Sequence, residues 1–374
     1  MNSTDQMKKY LDEFLMSLSD EYSMPGCDLS VYIHHKPAYR GMFGYANIAE
    51  NIPISENTLY NIYSSSKFVT CTAGMQLVER GKIRLDDKLS RYFPEFEKMY
   101  VKTPDGGRTE ARNAIRIKDL FCMTAGFRYD GYEQETIDFI KDTNGECPLI
   151  ELPKYLAGAD LEFEPSSAFR YSICHDVLGA LIEKVSGMRF SEYLGKNIFE
   201  PLEMENTGFY LENLKSRELA MHYSFDGKGK PLRELGCRNC LVPPSLKESG
   251  GGGLITSVND YMKFEEALCK GNVILRKPTI DLMRRDHLTP AQKAGYGWTP
   301  YGMSYGLGVR IIIDPAQMNT TAGLTSFGWD GAAGSFASVD PEREISIFYA
   351  QHLFGSRDYF INSTIRNIVY SFAE

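Results

Sequence analysis

Strand-like sequence lies at the two ends of this 374-residue chain and is scarce between them. Residues 28–34 alternate weakly, Lys36 and Pro37 supply a turn, and residues 38–45 return. After about Tyr305 the runs YGLGVRIII, SFASVD and EISIFYAQ have period-two or buried-strand patterns. From residue 85 to about 249 the texture is loops and short helices, such as 115–127 and 175–187. Strand–helix–strand alternation is absent, which argues against a doubly wound parallel sheet. The expected class is α+β: an antiparallel β-sheet flanked by helices, built from residues 1–84 plus 250–374. A mainly α-helical domain is inserted at 85–249.

Three helices frame this plan. One is expected at 4–18. A second, at 64–80, places Phe68, Cys71, Met75 and Val78 on one stripe, with Gly81 just past its end. A third, at 359–372, closes the chain. The run Gly250–Gly253 precedes a further helical stretch that Asn259 or Asp260 would cap. No Gly-Lys-Ser/Thr follows the glycines, so they read as a turn and not as a phosphate cradle.

Composition narrows the function classes. At 43% hydrophobic and 24% charged residues the chain is ordinarily globular. A net charge of −8 argues against a nucleic-acid partner. No run approaches the roughly 18 apolar residues of a membrane span, and the N-terminal stretch is charged throughout, so no membrane association and a cytoplasmic location are expected. The eight cysteines then read as reduced thiols. Cys237 and Cys240 have metal-ligand spacing but no companion pair, so no metal is expected there.

The stretch YSSSKFVTCTAG sets Ser64 and Lys67 three residues apart at a helix start, hence on one face. In one reading the serines cap a surface helix and Lys67 is solvated. In the other, Ser64 is a nucleophile at the positive end of the helix. Lys67, its pKa lowered by burial, is then the base. No Gly-x-Ser-x-Gly elbow exists to support a Ser-His-Asp triad.

Further stretches, in fixed order, favour the second reading. IRIKDLFCMTAGF, then FRYSICHDVLGALIEKVSGMRFSEYLGKNIFEPLEMENTGF, then GGGGLITSVNDYMKF and FGWDGAAGS follow the Ser64 segment. Over about residues 25–350 the chain resembles the serine β-lactamase and penicillin-binding-protein superfamily, in its class C-like branch. Within that branch it is most similar to the family VIII carboxylesterases. The resemblance implies a β-lactamase/transpeptidase-like fold with the active site between the two domains. It implies Ser64 as acylated nucleophile, Lys67 as its base and Tyr171 as proton relay. Trp329, Asp330 and Gly331 take the third motif, and the amides of Ser64 and Ala332 would form the oxyanion hole. No cofactor is implied.

Two departures from the β-lactamase pattern bear on substrate. Ile173 stands where an asparagine usually binds a substrate amide. Trp329 and Asp330 replace a cation that usually holds a substrate carboxylate. Both point to small uncharged carboxylic esters hydrolysed through an acyl-enzyme. The alternatives are a β-lactamase, a D-amino-acid peptidase or amidase, or an acyltransferase. His175 is expected either to line the pocket or to sit exposed in a first helical turn. The loops 127–145 and 295–305 are expected to shape the pocket with an aromatic rim.

Overall fold

The computed structural model describes all residues except 1–2, 131–132, 228–231, 243–245, 247, 357 and 374. The strands β1 (Gly26–Ile33), β2 (Lys36–Asn47), β3 (Ile52–Pro53), β4 (Met303–Tyr305), β5 (Arg310–Ile312), β6 (Phe327–Gly328), β7 (Phe336–Asp340) and β8 (Ile345–Gln351) form one sheet. Their order is β4-β5-β6-β7-β8-β1-β2-β3, every neighbour antiparallel. The two ends of the chain therefore meet in one sheet, as their patterning requires. β8 lies against β1 with Cys27 opposite Gln351 and Ile33 opposite Ile345. It is buried along its whole length, which explains its nearly unbroken apolar sequence.

Five helices matter for the site: α1 (Ser3–Tyr22), α2 (Ser66–Glu79), α3 (Cys174–Ser186), α4 (Val258–Lys270) and α5 (Asp358–Phe372). α1 packs on α5 and β2, and α4 packs on β8, β7 and β1. α2 departs from the amphipathic expectation. Every residue from Ser66 to Leu77 is buried, Lys67, Thr70 and Gln76 included. The reason is its central place: Phe68 meets Phe264 of α4 and Phe327 of the sheet. A side chain at Gly74 would collide with Phe121 and Leu178 of the inserted segment. A helix covered on all sides carries no polar face.

Other local expectations are corrected. The first hairpin turns at His34 and His35, not at Lys36–Pro37, and Pro37 lies inside β2. Both histidines have positive φ, 51° and 60°, the geometry a two-residue hairpin turn demands. YGLGVRIII is two strands broken at 306–309, where the Gly306 amide donates to the Val309 carbonyl. Ser257, not Asn259 or Asp260, caps α4, its hydroxyl accepting from the Asp260 amide at 3.2 Å. The inserted segment holds short helices and also two hairpins, Tyr100–Lys102 with Arg108–Glu110 and His222–Ser224 with Arg233–Gly236. Three- and four-residue strands are too short to show a period. One apolar core runs from α1 through the insert to α5. Among the described residues no helix is long and apolar enough to cross a membrane.

Candidate active site

A single 3-10 turn, Tyr63–Ser65, leads into α2. Tyr63 is buried with φ of 45°, a conformation that costs free energy in a bulky residue and clusters at functional sites. It sets Ser64, half-buried, at the edge of a cavity. One turn on, Lys67 is fully buried. Its Nζ donates to Ser64 Oγ at 3.4 Å and to the Gly251 carbonyl. The same ammonium lies 4.8 Å from the Tyr171 ring centre and 5.4 Å from that of Tyr129. Tyr171, distant in sequence, is thus brought to the Ser64–Lys67 pair. The solvated-lysine reading fails.

The charge of Lys67 differs from the expectation. Burial pulls its pKa down, but the fields of Tyr129 and Tyr171, a bond to Tyr129 and the Asp176 carboxylate outweigh it, leaving the pKa raised. The lowered lysine is therefore corrected: Lys67 holds its proton. Asp176 also acts on it through Gly251. It accepts from Ser249 Oγ at 2.6 Å and from the Gly251 amide at 3.2 Å, fixing the carbonyl that receives the ammonium. A side chain on Gly251 would sit 2.7 Å from Asp176, so the glycine run is a close approach and not a simple turn.

Tyr171 is held by Trp329. The indole Nε1 donates to the Tyr171 hydroxyl at 3.1 Å, and the rings stack with centres 5.8 Å apart. The indole, expected as a wall for substrate, is also a clamp on the tyrosine. Trp329→Phe keeps the stack and loses the donor. Because one hydrogen bond contributes about 1 kcal/mol, kcat on a short ester is expected to fall about fivefold with little change in KM. Steady-state kinetics on p-nitrophenyl butyrate would measure it.

The rest of the third motif is placed as follows. Asp330 accepts from Arg310 Nη1 at 2.6 Å. Gly331 has no room for a side chain, since a Cβ would meet the Ile62 carbonyl at 2.2 Å. Ala332 is exposed and, like Ser64, lines the cavity. Among the described residues neither the Ser64 nor the Ala332 amide has an acceptor. An oxyanion needs donors that are free in this way.

Two expected site residues lie elsewhere. Ile173 caps α3, packs half-buried against the core and does not line the cavity. His175 is fully buried, its Nε2 3.3 Å from both the Phe121 carbonyl and Cys71 Sγ, so it neither lines the pocket nor meets solvent. Burial, and then the Lys67 charge, push it down to about 3. The native state therefore stays unprotonated while an unfolded chain takes up the proton below about 6.5. This contribution to stability is complete above pH 6.5 and is lost as the pH falls towards 3. Between pH 6.5 and 4.5, His175→Gln should flatten the loss of unfolding free energy by about 1.4 kcal/mol per pH unit. Urea denaturation at several pH values would show it.

Sequence reasoning missed Tyr129 and Asp176. Tyr129 follows a loop with no periodicity. Asp176 is adjacent to His175 but has no motif of its own. The cavity itself measures about 810 Å³. Gly295, Tyr296, Trp298 and Met303 line it, as expected of the second loop. Trp298 stacks on Tyr359 at 6.3 Å and both are partly exposed, forming the aromatic rim. Residues 131–132 of the first loop lie outside those described. Cys237 and Cys240 are exposed free thiols, and Cys240 Sγ is 3.5 Å from the Tyr63 hydroxyl.

The sheet order and its helical insert define a β-lactamase/transpeptidase-like fold. The family model described as Beta-lactamase matches residues 9–369, and the chain belongs to that family. It is 29% identical over 352 residues to Protein Rv1367c of Mycobacterium tuberculosis, covering 90% of this chain and 87% of that one. It is 27% identical to Esterase EstB of Burkholderia gladioli, covering 87% of this chain and 86% of EstB. Among solved structures it is similar to EstCE1, described as a hydrolase with promiscuous acyltransferase activity. That match has a TM-score of 0.79 at 26% identity and covers 98% of this chain and 99% of EstCE1. Unliganded simvastatin synthase (LovD) of Aspergillus terreus gives a TM-score of 0.78 at 20% identity over 99% of this chain and 98% of its own, a likeness of fold alone.

Proposed function

We propose that this protein is a serine hydrolase that cleaves small carboxylic esters, uncharged around the scissile bond, through an acyl-enzyme on Ser64. One observation carries the reading: a buried ammonium touches Ser64 Oγ and lies against Tyr171, whose oxygen accepts the Trp329 indole N–H. Lys67 and Tyr171 work as a pair that is short of one proton. Tyr171 oxygen takes the proton of Ser64 as Oγ attacks the ester carbonyl. The ammonium and the indole stabilise the phenol's charge before transfer. The oxyanion rests on the Ser64 and Ala332 amides. Tyr171 returns the proton to the leaving alcohol, and water then releases the acid by the same route in reverse.

Ser64 and Lys67 belong to the 1–84 plus 250–374 part and Tyr171 to the 85–249 insert, so the site lies at the proposed domain interface. Free thiols at all eight cysteines favour a reducing, cytoplasmic setting. The name of EstB, an esterase, supports ester chemistry, and the description of EstCE1 as a hydrolase supports hydrolysis. EstCE1 and the roomy cavity also favour a second reading, interception of the acyl-enzyme by an alcohol. A panel of short esters, nitrocefin and D-alanyl peptides, each run with and without added alcohol, tests both. Ester turnover should dominate, with new ester formed when alcohol is present. Faster lactam or peptide cleavage would reverse the assignment.

A further inference from the structure

Away from the cavity, three donors of different chemistry meet where the first hairpin touches α4. Among the described residues, His35, Glu266 and Cys269 are the one set of three possible metal ligands that come together, their donor atoms all within 4.8 Å of one another. Glu266 and Cys269 are three apart near the end of α4, so they share one face. His35 reaches them from the turn between β1 and β2, its Nδ1 3.2 Å from Glu266 Oε2. Tetrahedral zinc sets nitrogen, oxygen and sulfur ligands about 3.3–3.6 Å apart. The His35–Glu266 pair already has that spacing. Cys269 Sγ completes the set by a movement of about 1 Å. It makes only long contacts, 3.6 and 3.9 Å, to the Asp340 and Ile345 carbonyls, which tether it little.

The surroundings suit ligands as well as an ion pair. Glu266 Oε1 accepts from Ser346 Oγ of β8 at 2.6 Å, which fixes the carboxylate with Oε2 towards His35. The second imidazole nitrogen, Nε2, is 3.7 Å from Glu344 Oε1, and His34 Nδ1 holds that carboxylate at 2.9 Å. A carboxylate behind a histidine sets its tautomer and makes it a more basic ligand. His35 also keeps a φ of 60° in a turn that Asn-Gly would make with less strain. Glu266 and Cys269 are buried, while His35 and Glu344 are partly exposed, so the hairpin side offers an entry path. Lys270 Nζ, 3.9 Å from Glu266 Oε2, is half exposed and free to turn into solvent.

We propose that His35, Glu266 and Cys269 form a zinc site, with water in the fourth position, that fastens the first hairpin to α4. An imidazole, a carboxylate and a thiolate suit zinc better than magnesium or calcium, which take oxygen ligands. On binding, the thiol releases its proton to solvent as the Zn–S bond forms, and the thiolate and carboxylate balance the two charges of the ion. Burial holds the metal-free thiol up at about 12, and a coordinated cation removes that proton. None of the three residues lines the cavity, so the site stands apart from the acyl-enzyme reading.

The test uses the full chain, stripped with EDTA and desalted. It is run in a Cys237→Ser/Cys240→Ser background, so that the exposed pair supplies no ligands. Calorimetric titration with zinc chloride should show one ion bound per chain, and the melting temperature should rise with zinc until it saturates. Cobalt(II) in its place should give a thiolate-to-metal charge-transfer band in the near ultraviolet, which imidazole and carboxylate ligands alone do not produce. Cys269→Ser should lose that band. His35→Asn, which tolerates the positive φ, should lose the band and the melting shift. If Cys269→Ser does not fold, His35→Asn carries the test, because that residue is partly exposed on a turn. Glu344→Gln should weaken zinc about tenfold. No saturable zinc binding, binding without the thiolate band, or a band that survives in either ligand variant would overturn the site.

Discussion

Ser64→Ala is expected to lower kcat/KM on short p-nitrophenyl esters by about 10⁴-fold or more, leaving a correctly folded protein. The size follows from the role. A nucleophile that becomes covalently attached cannot be replaced by binding and oxyanion stabilisation, which by themselves supply only a residual rate. Folding should survive because, among the described residues, Ser64 Oγ is bonded only to Lys67 and sits half-buried at the cavity edge. The variant removes little packing. Its melting temperature should lie close to that of wild type, which separates lost chemistry from lost structure.

Tyr171→Phe and Lys67→Met should each cost about 10²- to 10⁴-fold, the range of a lost general acid–base group. The double variant should be hardly worse than either single one. The phenol and the ammonium act as one unit, and removing one member already disables the other. Independent roles would instead give multiplied losses. Stability should fall as well for Lys67→Met. The interactions of the buried ammonium outweigh its burial cost, and methionine leaves the Gly251 carbonyl without its donor. A melting temperature below that of wild type, with activity nearly gone, is the expected result. Kinetics of the three variants and thermal unfolding of Lys67→Met would check both parts.

Much of this was legible in the sequence, for identifiable reasons. The end-to-end sheet was, because β1, β7 and β8 are long enough to show weak alternation or an unbroken apolar run. Ser64, Lys67 and Tyr171 were legible through motif order. What escaped depends on contacts made across the fold. Trp329 and Tyr171 are 158 positions apart, and nothing local marks the indole as the donor to that phenol. The charge state of Lys67 depends on Tyr129 and Asp176, which reach it from other elements. His175 reads as a surface or pocket residue until α2 and the 115–127 stretch close over it. Arg366 sits in an unremarkable closing helix. Packing in the fold, against Phe336 among others, buries its charge.

The most direct measurement is intact-mass and peptide analysis after treatment with a fluorophosphonate probe. The account predicts one adduct, on the peptide bearing Ser64, formed quickly by wild type and slowly or not at all by Tyr171→Phe. A folded wild-type protein that stays unmodified, or one labelled at another residue, would contradict it.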